Sequence, residues 1–103
     1  MQKIRVNPIA LKDLMSIKAY ISEELDSPDA ALKIAKKIIN SYEKLRDFPG
    51  MGVSLNSKID IPTGYRFLVS EEHIIFYKLE GEYLSICRIL NARMDYLKVL
   101  FKE

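Results

Sequence analysis

The second half of the chain alternates short apolar runs with polar links, which is the pattern of β-strands joined by tight turns. The apolar runs cover residues 65–69, 72–79 and 83–90. They contain many β-branched and aromatic side chains, which suit the pleated surface of a sheet. Residues 91–96 are mostly polar, so the last strand is predicted to leave the sheet there and to be followed by a short helix within residues 94–101.

The first half instead has the three- and four-residue spacing of amphipathic helices. A short alternating run at residues 3–6 predicts a first strand, and Asn7-Pro8 then gives a helix start signal that Ser27-Pro28 repeats. The predicted apolar stripes are Ala10, Leu14, Ile17, Ile21 and Leu25 in the first helix, and Ala31, Ile34, Ile38, Tyr42 and Leu45 in the second. The second helix is expected to end near Asp47, before a Pro- and Gly-containing turn, and the short break between the helices predicts an antiparallel hairpin.

Apolar residues occupy both faces of the predicted central strand. Ile74 and Phe76 point to one face, and Ile75, Tyr77 and Leu79 point to the other. The helical hairpin can cover one face, so the C-terminal segment or a protein partner must cover part of the other. The prediction is an α+β fold in the order β-α-α-β-β-β-α, with a twisted, mainly antiparallel sheet of about four strands, a helical hairpin on one face and a short C-terminal helix. Residues 53–63 are the least regular segment, and residues 1–103 are expected to form one domain.

The composition is that of an ordinary globular protein. Apolar residues make up 49% of the chain and charged residues 29%, and the net charge of +2 is too small to indicate direct nucleic-acid binding outside a complex. The single cysteine, Cys87, excludes an internal disulfide and is interpreted as a small core residue. No apolar run approaches the ~18 residues of a membrane span and no leader follows Met1, so a cytoplasmic protein without membrane association is expected.

The sequence carries no signature of a common enzyme class. It has no phosphate-binding glycine loop and no cluster of metal-ligating residues, so neither a cofactor nor a metal is expected. His73, the only histidine, has no obvious serine partner and is interpreted as a polar residue at a strand edge rather than as a catalytic base.

Six polar residues lie in and just after the predicted strands. The group comprises Arg66, Arg88, Asn91, Arg93, Asp95 and Tyr96. Arg66 and Arg88 come from different strands and could converge, and Arg93 and Tyr96 could share a face of the last helix. Arginine binds phosphate with a planar fork and tyrosine stacks on bases, so one interpretation is an RNA site. The alternative is that Arg88 and Asp95 form a buried ion pair that locks the last helix to the sheet.

A basic face is predicted on the second helix. Lys33, Lys36, Lys37, Lys44 and Arg46 lie off its apolar stripe. The face is either simply solvated or meets an acidic partner or nucleic acid.

Four segments together resemble the RelE/ParE superfamily of bacterial toxins from type II toxin–antitoxin pairs. They read YRFLV at residues 65–69, HIIFYKLEGEYLSICRIL at 73–90, NARMDY at 91–96 and LRDFPGMG at 45–52. The resemblance covers essentially the whole chain in length and order of elements. It implies a plasmid-stabilisation toxin that inhibits growth and is neutralised by a cognate antitoxin protein.

The resemblance is closer to the ParE-like branch, whose members trap DNA gyrase, than to the RelE-type ribonucleases. The RelE-type ribonucleases carry several basic residues on the sheet, whereas residues 65–69 of this chain contain only Arg66. Where those enzymes often have an arginine in the next strand, this chain reads His73-Ile74-Ile75. Where many of them have a histidine near the end of the last strand, this chain has Asn91. The predicted function is therefore a toxin that binds a target such as DNA gyrase. The alternatives are a ribosome-dependent mRNA endoribonuclease and a degenerate, non-toxic member.

The resemblance also suggests site residues for each alternative. A nuclease would use Arg66, Arg88, Arg93 and Tyr96 as its catalytic set. Contact with the target is assigned to Asn91, Arg93, Tyr96 and Lys98. Contact with the antitoxin is assigned to Lys33, Lys36, Lys37 and Arg46.

Overall fold

The computed structural model of the chain describes residues 2–57 and 63–101. Its elements are β1 (Lys3–Val6), α1 (Pro8–Ala19), α2 (Pro28–Glu43), β2 (Val53–Ser54), β3 (Arg66–Ser70), β4 (His73–Glu80), β5 (Tyr83–Asn91) and α3 (Tyr96–Leu100). A π-helical turn continues α1, and short 3₁₀ turns follow α2 and β2. The predicted α+β order is confirmed, with β2 as an added strand inside the segment expected to be irregular. Residues 58–62 of that segment lie outside the described residues.

The sheet of the described chain has five strands in the order β1-β5-β4-β3-β2. β1 runs parallel to β5 and the other neighbours are antiparallel. Gly81, at φ +65°, makes the tight turn between β4 and β5, where a positive φ at the first loop position suits glycine. Cys87 is an extra residue on β5, because Ile86 pairs with Tyr77 while Arg88 pairs with Phe76. This β-bulge changes which side chains of β5 face the helices.

The helical hairpin begins and turns where the sequence predicts it. Asn7 is extended and Pro8 occupies the first turn of α1, and Pro28 repeats this arrangement in α2. Leu25, predicted to continue the buried stripe, is 58% exposed. That prediction is wrong because the chain has left the helix by Leu25 and turns through Asp26, whose φ is +50°.

Two apolar cores lie on opposite faces of the sheet, as the alternation in β4 predicts. The core under the helical hairpin includes Ala10, Leu14, Ala35, Ile38, Ile75, Tyr77, Ile86 and Ile89. The smaller core under α3 consists of Leu55, Ile74, Phe76 and Leu90, with partly buried side chains of α3 packed against it. Cys87 is buried, as expected. Within residues 2–57 and 63–101, the helices are too short or too polar to cross a membrane.

Candidate functional site

Arg88 is held by an acid that the sequence did not connect to it. Its Nε and Nη2 donate to the two carboxylate oxygens of Asp13 at 2.8 and 2.9 Å, and the backbone N–H of Ile89 donates to the same carboxylate at 3.0 Å. β1 pairs with β5 only as far as Ile86, so the next part of β5 has an open edge that α1 crosses. Asp13 therefore satisfies both the strand edge and the guanidinium, and its hydrogen bond raises the pKa of Arg88. The predicted Arg88–Asp95 pair is wrong.

Arg66 holds the turn that follows α2. Its guanidinium donates to the backbone carbonyls of Gly50, at 3.1 Å, and Gly52. The Tyr77 hydroxyl, in the same cluster, donates to the carbonyl of Pro49 and accepts from the N–H of Gly52, each at 3.0 Å. A Cβ on Gly52 would lie 2.6 Å from the carbonyl oxygen of a neighbouring strand residue, so glycine is required where this turn meets the sheet.

The end of β5 presents polar side chains to solvent. Arg93 pairs with Glu72 at 2.9 Å, and both side chains are largely exposed, at 84% and 62%. The N–H of Arg93 donates to the side-chain oxygen of Asn91 at 2.8 Å. Tyr96 is the first residue of α3, and the centroid of its ring lies 5.7 Å from the centroid of the Phe76 ring. Because α3 begins only at Tyr96, the prediction that Arg93 shares a face of that helix is wrong.

The four basic residues assigned to the antitoxin lie on α2 and its 3₁₀ extension. Lys37 reaches across to Glu71 in the loop between β3 and β4, at 2.9 Å, and Arg46 pairs with Glu43 at 2.9 Å. Lys33 and Lys36 are exposed and form no ion pair with the described residues. The helix therefore has exposed cations on its outer surface, two of which are already neutralised by intramolecular acids.

A groove of about 520 Å³ separates the tip of the helical hairpin from the ends of β4 and β5. Its apolar lining comprises Ile17, Tyr20, Ile21, Leu25, Ala30, Ile34, Ile89, Leu90 and Met94, and its polar lining comprises Asp13, Ser16, Ser27, Glu72, His73 and Asn91. Within the described chain, His, Cys, Asp and Glu side chains form no group of three or more that could hold a metal ion.

His73 lies in this groove and is only 6% exposed. It is the first residue of β4, a central strand, and is paired with Ser70 on one side and Asn91 on the other. The interpretation of His73 as a strand-edge residue is therefore wrong. Its Nδ1 is buried without a hydrogen-bond partner in the described structure, and burial lowers the pKa of the imidazole. The burial of His73 could have been inferred from the two-residue period of β4, since its side chain points to the same face as those of the buried Ile75 and Tyr77.

A family model described as "ParE toxin of type II toxin-antitoxin system, parDE" matches residues 4–96. The chain belongs to this family. This ParE toxin is thus the toxin component of a type II toxin–antitoxin system, within the RelE/ParE superfamily. No curated protein matches its sequence.

A solved structure supports the fold of the ParE toxin. It is described as "Chromosomal ParDE TA system from P. aeruginosa" and matches with a TM-score of 0.77 and 23% sequence identity. The match covers 90% of this chain and 98% of the other.

In this ParE toxin the two strand arginines of the predicted nuclease set lie apart. Arg66 is paired with Tyr77, whose side chain belongs to the core under the hairpin, whereas Arg88 is paired with Phe76, in the core under α3. The two arginines therefore start from opposite faces of the sheet and do not converge. Arg93 lies beside Glu72 at the end of β5. The predicted target-binding residues, Asn91, Arg93, Tyr96 and Lys98, all lie within residues 91–98, from the end of β5 into α3.

Proposed function

We propose that this ParE toxin acts in the cytoplasm by binding a protein target, DNA gyrase, and not by cutting mRNA. The observation that carries this proposal is the structural use of Arg66 and Arg88, which hold a turn and the edge of β5. Acid–base catalysis and stabilisation of a phosphorane need several polar groups within hydrogen-bond reach of one phosphate. Gyrase as the target follows from the resemblance to ParE-like toxins.

For the surface that meets the target we propose the end of β5 together with α3. Arg93 and Lys98 are exposed cations there, Asn91 is half-buried, and Tyr96 presents part of an aromatic ring. Aromatic and arginine side chains are enriched among the residues that dominate protein interfaces. The pair between Arg93 and Glu72 is exposed and so costs little to exchange for a partner's acid.

We further propose that a cognate antitoxin neutralises this toxin by laying an acidic segment over α2. Among residues 2–57 and 63–101, Lys33 and Lys36 have no acidic partner to displace, and Lys37 and Arg46 have only exposed ones. Charge complementarity of this kind accelerates association and selects the partner.

One experiment separates target binding from RNA cleavage. The toxin is induced without antitoxin, and plasmid supercoiling and transcript integrity are followed in the same cells. We expect altered supercoiling and a DNA-damage response with intact transcripts. The double variant Arg93→Ala/Lys98→Ala should lose toxicity, whereas Lys12→Ala, an exposed lysine on α1, should keep it. Cleavage of translated messages that disappears in Arg93→Ala would establish the nuclease alternative, and absence of any growth effect would establish the degenerate one.

Antitoxin binding is tested with the protein encoded by the reading frame adjoining this gene. Co-expression should give a stable complex, and Lys33→Glu/Lys36→Glu should weaken it while the matched reversal Lys12→Glu should not. The difference should shrink at high salt because the pairs are exposed. Failure of the two soluble wild-type proteins to co-purify would contradict the proposal.

A further inference from the structure

A second cavity, of about 390 Å³, opens beside the β-bulge of β5 and shares no lining residue with the groove at the hairpin tip. β1 pairs with β5 only as far as Ile86, and the N–H of Asn7 then donates to the carbonyl of Ile86 at 3.0 Å as the chain turns into α1. The cavity lies between this helix start, the strands β4 and β5, and α3. Its volume falls within the range of small-molecule sites, about 300–1,000 Å³.

Two cations line the cavity from the same face of the sheet. Arg88 pairs with Phe76, and Lys78 follows Phe76 by two residues, so the Cα atoms of the two cations are diagonal neighbours about 7–8 Å apart. Arg88 uses its Nε and Nη2 for Asp13, which leaves Nη1 as a donor without a partner among the described residues. The ammonium of Lys78 lies 4.2 Å from the centroid of the Tyr65 ring.

The acids around the cavity limit the charge that it can accept. Glu80, the acid in its lining, accepts from Arg5 at 3.3 Å, and Arg88 is matched by Asp13. Within residues 2–57 and 63–101, Lys78 forms no ion pair, so the surplus in the lining is one positive charge. The carboxylate of Glu80 would repel a second negative charge on a ligand. A carboxylate therefore suits the cavity better than a phosphate monoester, which carries nearly two charges at neutral pH.

The rest of the lining supplies an apolar wall and an unused amide. Ile9, at the start of α1, and Val99 and Leu100, in α3, contribute the apolar side chains. The side chain of Asn7 also lines the cavity, and it does not cap α1. A ligand with an apolar body and a polar head can use both parts of this lining.

We propose that this cavity binds a small monocarboxylate with an apolar body. The carboxylate lies between the ammonium of Lys78 and Nη1 of Arg88, and the body packs against Ile9 and α3. Arg88 keeps its structural pair with Asp13 and adds one charge-assisted hydrogen bond. The site uses none of the residues assigned above to the target or to the antitoxin, so it is independent of the proposed function.

The test is an NMR titration of the full, ¹⁵N-labelled toxin chain with benzoate, phenyl phosphate and benzyl alcohol, which share a ring and differ in charge. We expect benzoate to bind saturably with a Kd of about 1–10 mM and to shift the N–H signals of Asn7, Lys78 and Cys87. Phenyl phosphate should bind at least about threefold more weakly because of Glu80, and uncharged benzyl alcohol about tenfold more weakly.

Variants of Lys78 examine the charge. Lys78→Met keeps the length of the side chain and removes its ammonium, so benzoate should bind about tenfold more weakly or worse, and Lys78→Arg should restore most of the affinity. Lys12→Met, which changes an exposed lysine outside the cavity, should leave the affinity unchanged. Glu80→Gln should narrow the difference between phenyl phosphate and benzoate.

A plug examines the location. Ile9 and Leu11 are 49% and 50% exposed on α1, but only Ile9 lines the cavity. Ile9→Trp should therefore block benzoate, whereas the matched variant Leu11→Trp should bind it like the wild type.

Three results would overturn the inference. Wild-type benzoate affinity in Lys78→Met or in Ile9→Trp, each with a normal circular dichroism spectrum, would show that the cavity is not the site. Tighter binding of phenyl phosphate than of benzoate would refute the assignment to a monocarboxylate. Absence of saturable shifts with all three probes at about 50 mM would show that the cavity binds no ligand of this class.

Discussion

Removing one partner of the ion pair between Asp13 and Arg88 should destabilise the fold strongly, and Asp13→Ala tests this. The side chains are only 13% and 21% exposed, and the carboxylate accepts three hydrogen bonds, two from Arg88 and one from the N–H of Ile89. Removing the acid leaves a largely buried guanidinium and a strand-edge amide without their partner. Breaking a fully buried pair costs about 3–5 kcal/mol, and a slightly exposed one should cost somewhat less, about 2–4 kcal/mol.

The assay is equilibrium unfolding in urea at neutral pH, followed by circular dichroism. The matched control is Glu72→Ala, which removes the exposed partner of Arg93 and should cost less than about 1 kcal/mol. The double variant Asp13→Leu/Arg88→Leu should recover much of the loss, because it removes both charges together. Equal losses in Asp13→Ala and Glu72→Ala would refute the inference that the Arg88 guanidinium is a structural group.

Three further predictions concern stability. Leu14→Ala, Ile38→Ala and Ile86→Ala each remove buried contacts under the hairpin and should cost roughly 2–5 kcal/mol in urea unfolding; losses under about 1 kcal/mol in all three would mean that the core is misassigned. Tyr77→Phe should cost about 1–3 kcal/mol, because its hydroxyl bonds two backbone groups of the 49–52 turn; an unchanged midpoint would contradict this. Burial lowers the pKa of His73 in the folded protein below its ordinary 6.5. As the pH falls below 6.5, the unfolded chain therefore binds a proton at His73 more readily than the folded protein does, and the thermal stability should decrease. His73→Leu should flatten that decline between pH 6.5 and 5, and an equal slope in both proteins would contradict the assignment.

The order of elements was predictable from the sequence because local signals mark each boundary. The prolines at positions 8 and 28 begin the two helices, and Gly81 makes the turn between β4 and β5. Alternation along β4 also predicted two apolar cores. The pairing of β1 with β5 was not predictable in this way, because a parallel contact between residues about 80 positions apart has no local signature.

The roles of the arginines depended on contacts distant in sequence. Asp13 and Arg88 are 75 residues apart, and Arg66 reaches carbonyl oxygens in a turn 14 to 16 residues away. A backbone carbonyl is offered by every residue type, so sequence cannot identify it as a partner. The sequence therefore identified the candidate cations, but it could not show that Arg66 and Arg88 form structural hydrogen bonds within the fold.

The bulge at Cys87 explains why Arg66 and Arg88 looked able to converge. Strict alternation would place Arg88 on the same face as Leu84 and Ile86, which lie in the core under the hairpin, and that is also the face of Arg66. The extra residue reverses the alternation, so that Ile89 joins the hairpin core and Arg88 starts from the opposite face, beside Phe76. From there its guanidinium reaches round the open edge of β5 to α1. A single inserted residue thus converts a plausible pair of catalytic cations into two separate structural ones, and this favours a toxin that acts by binding.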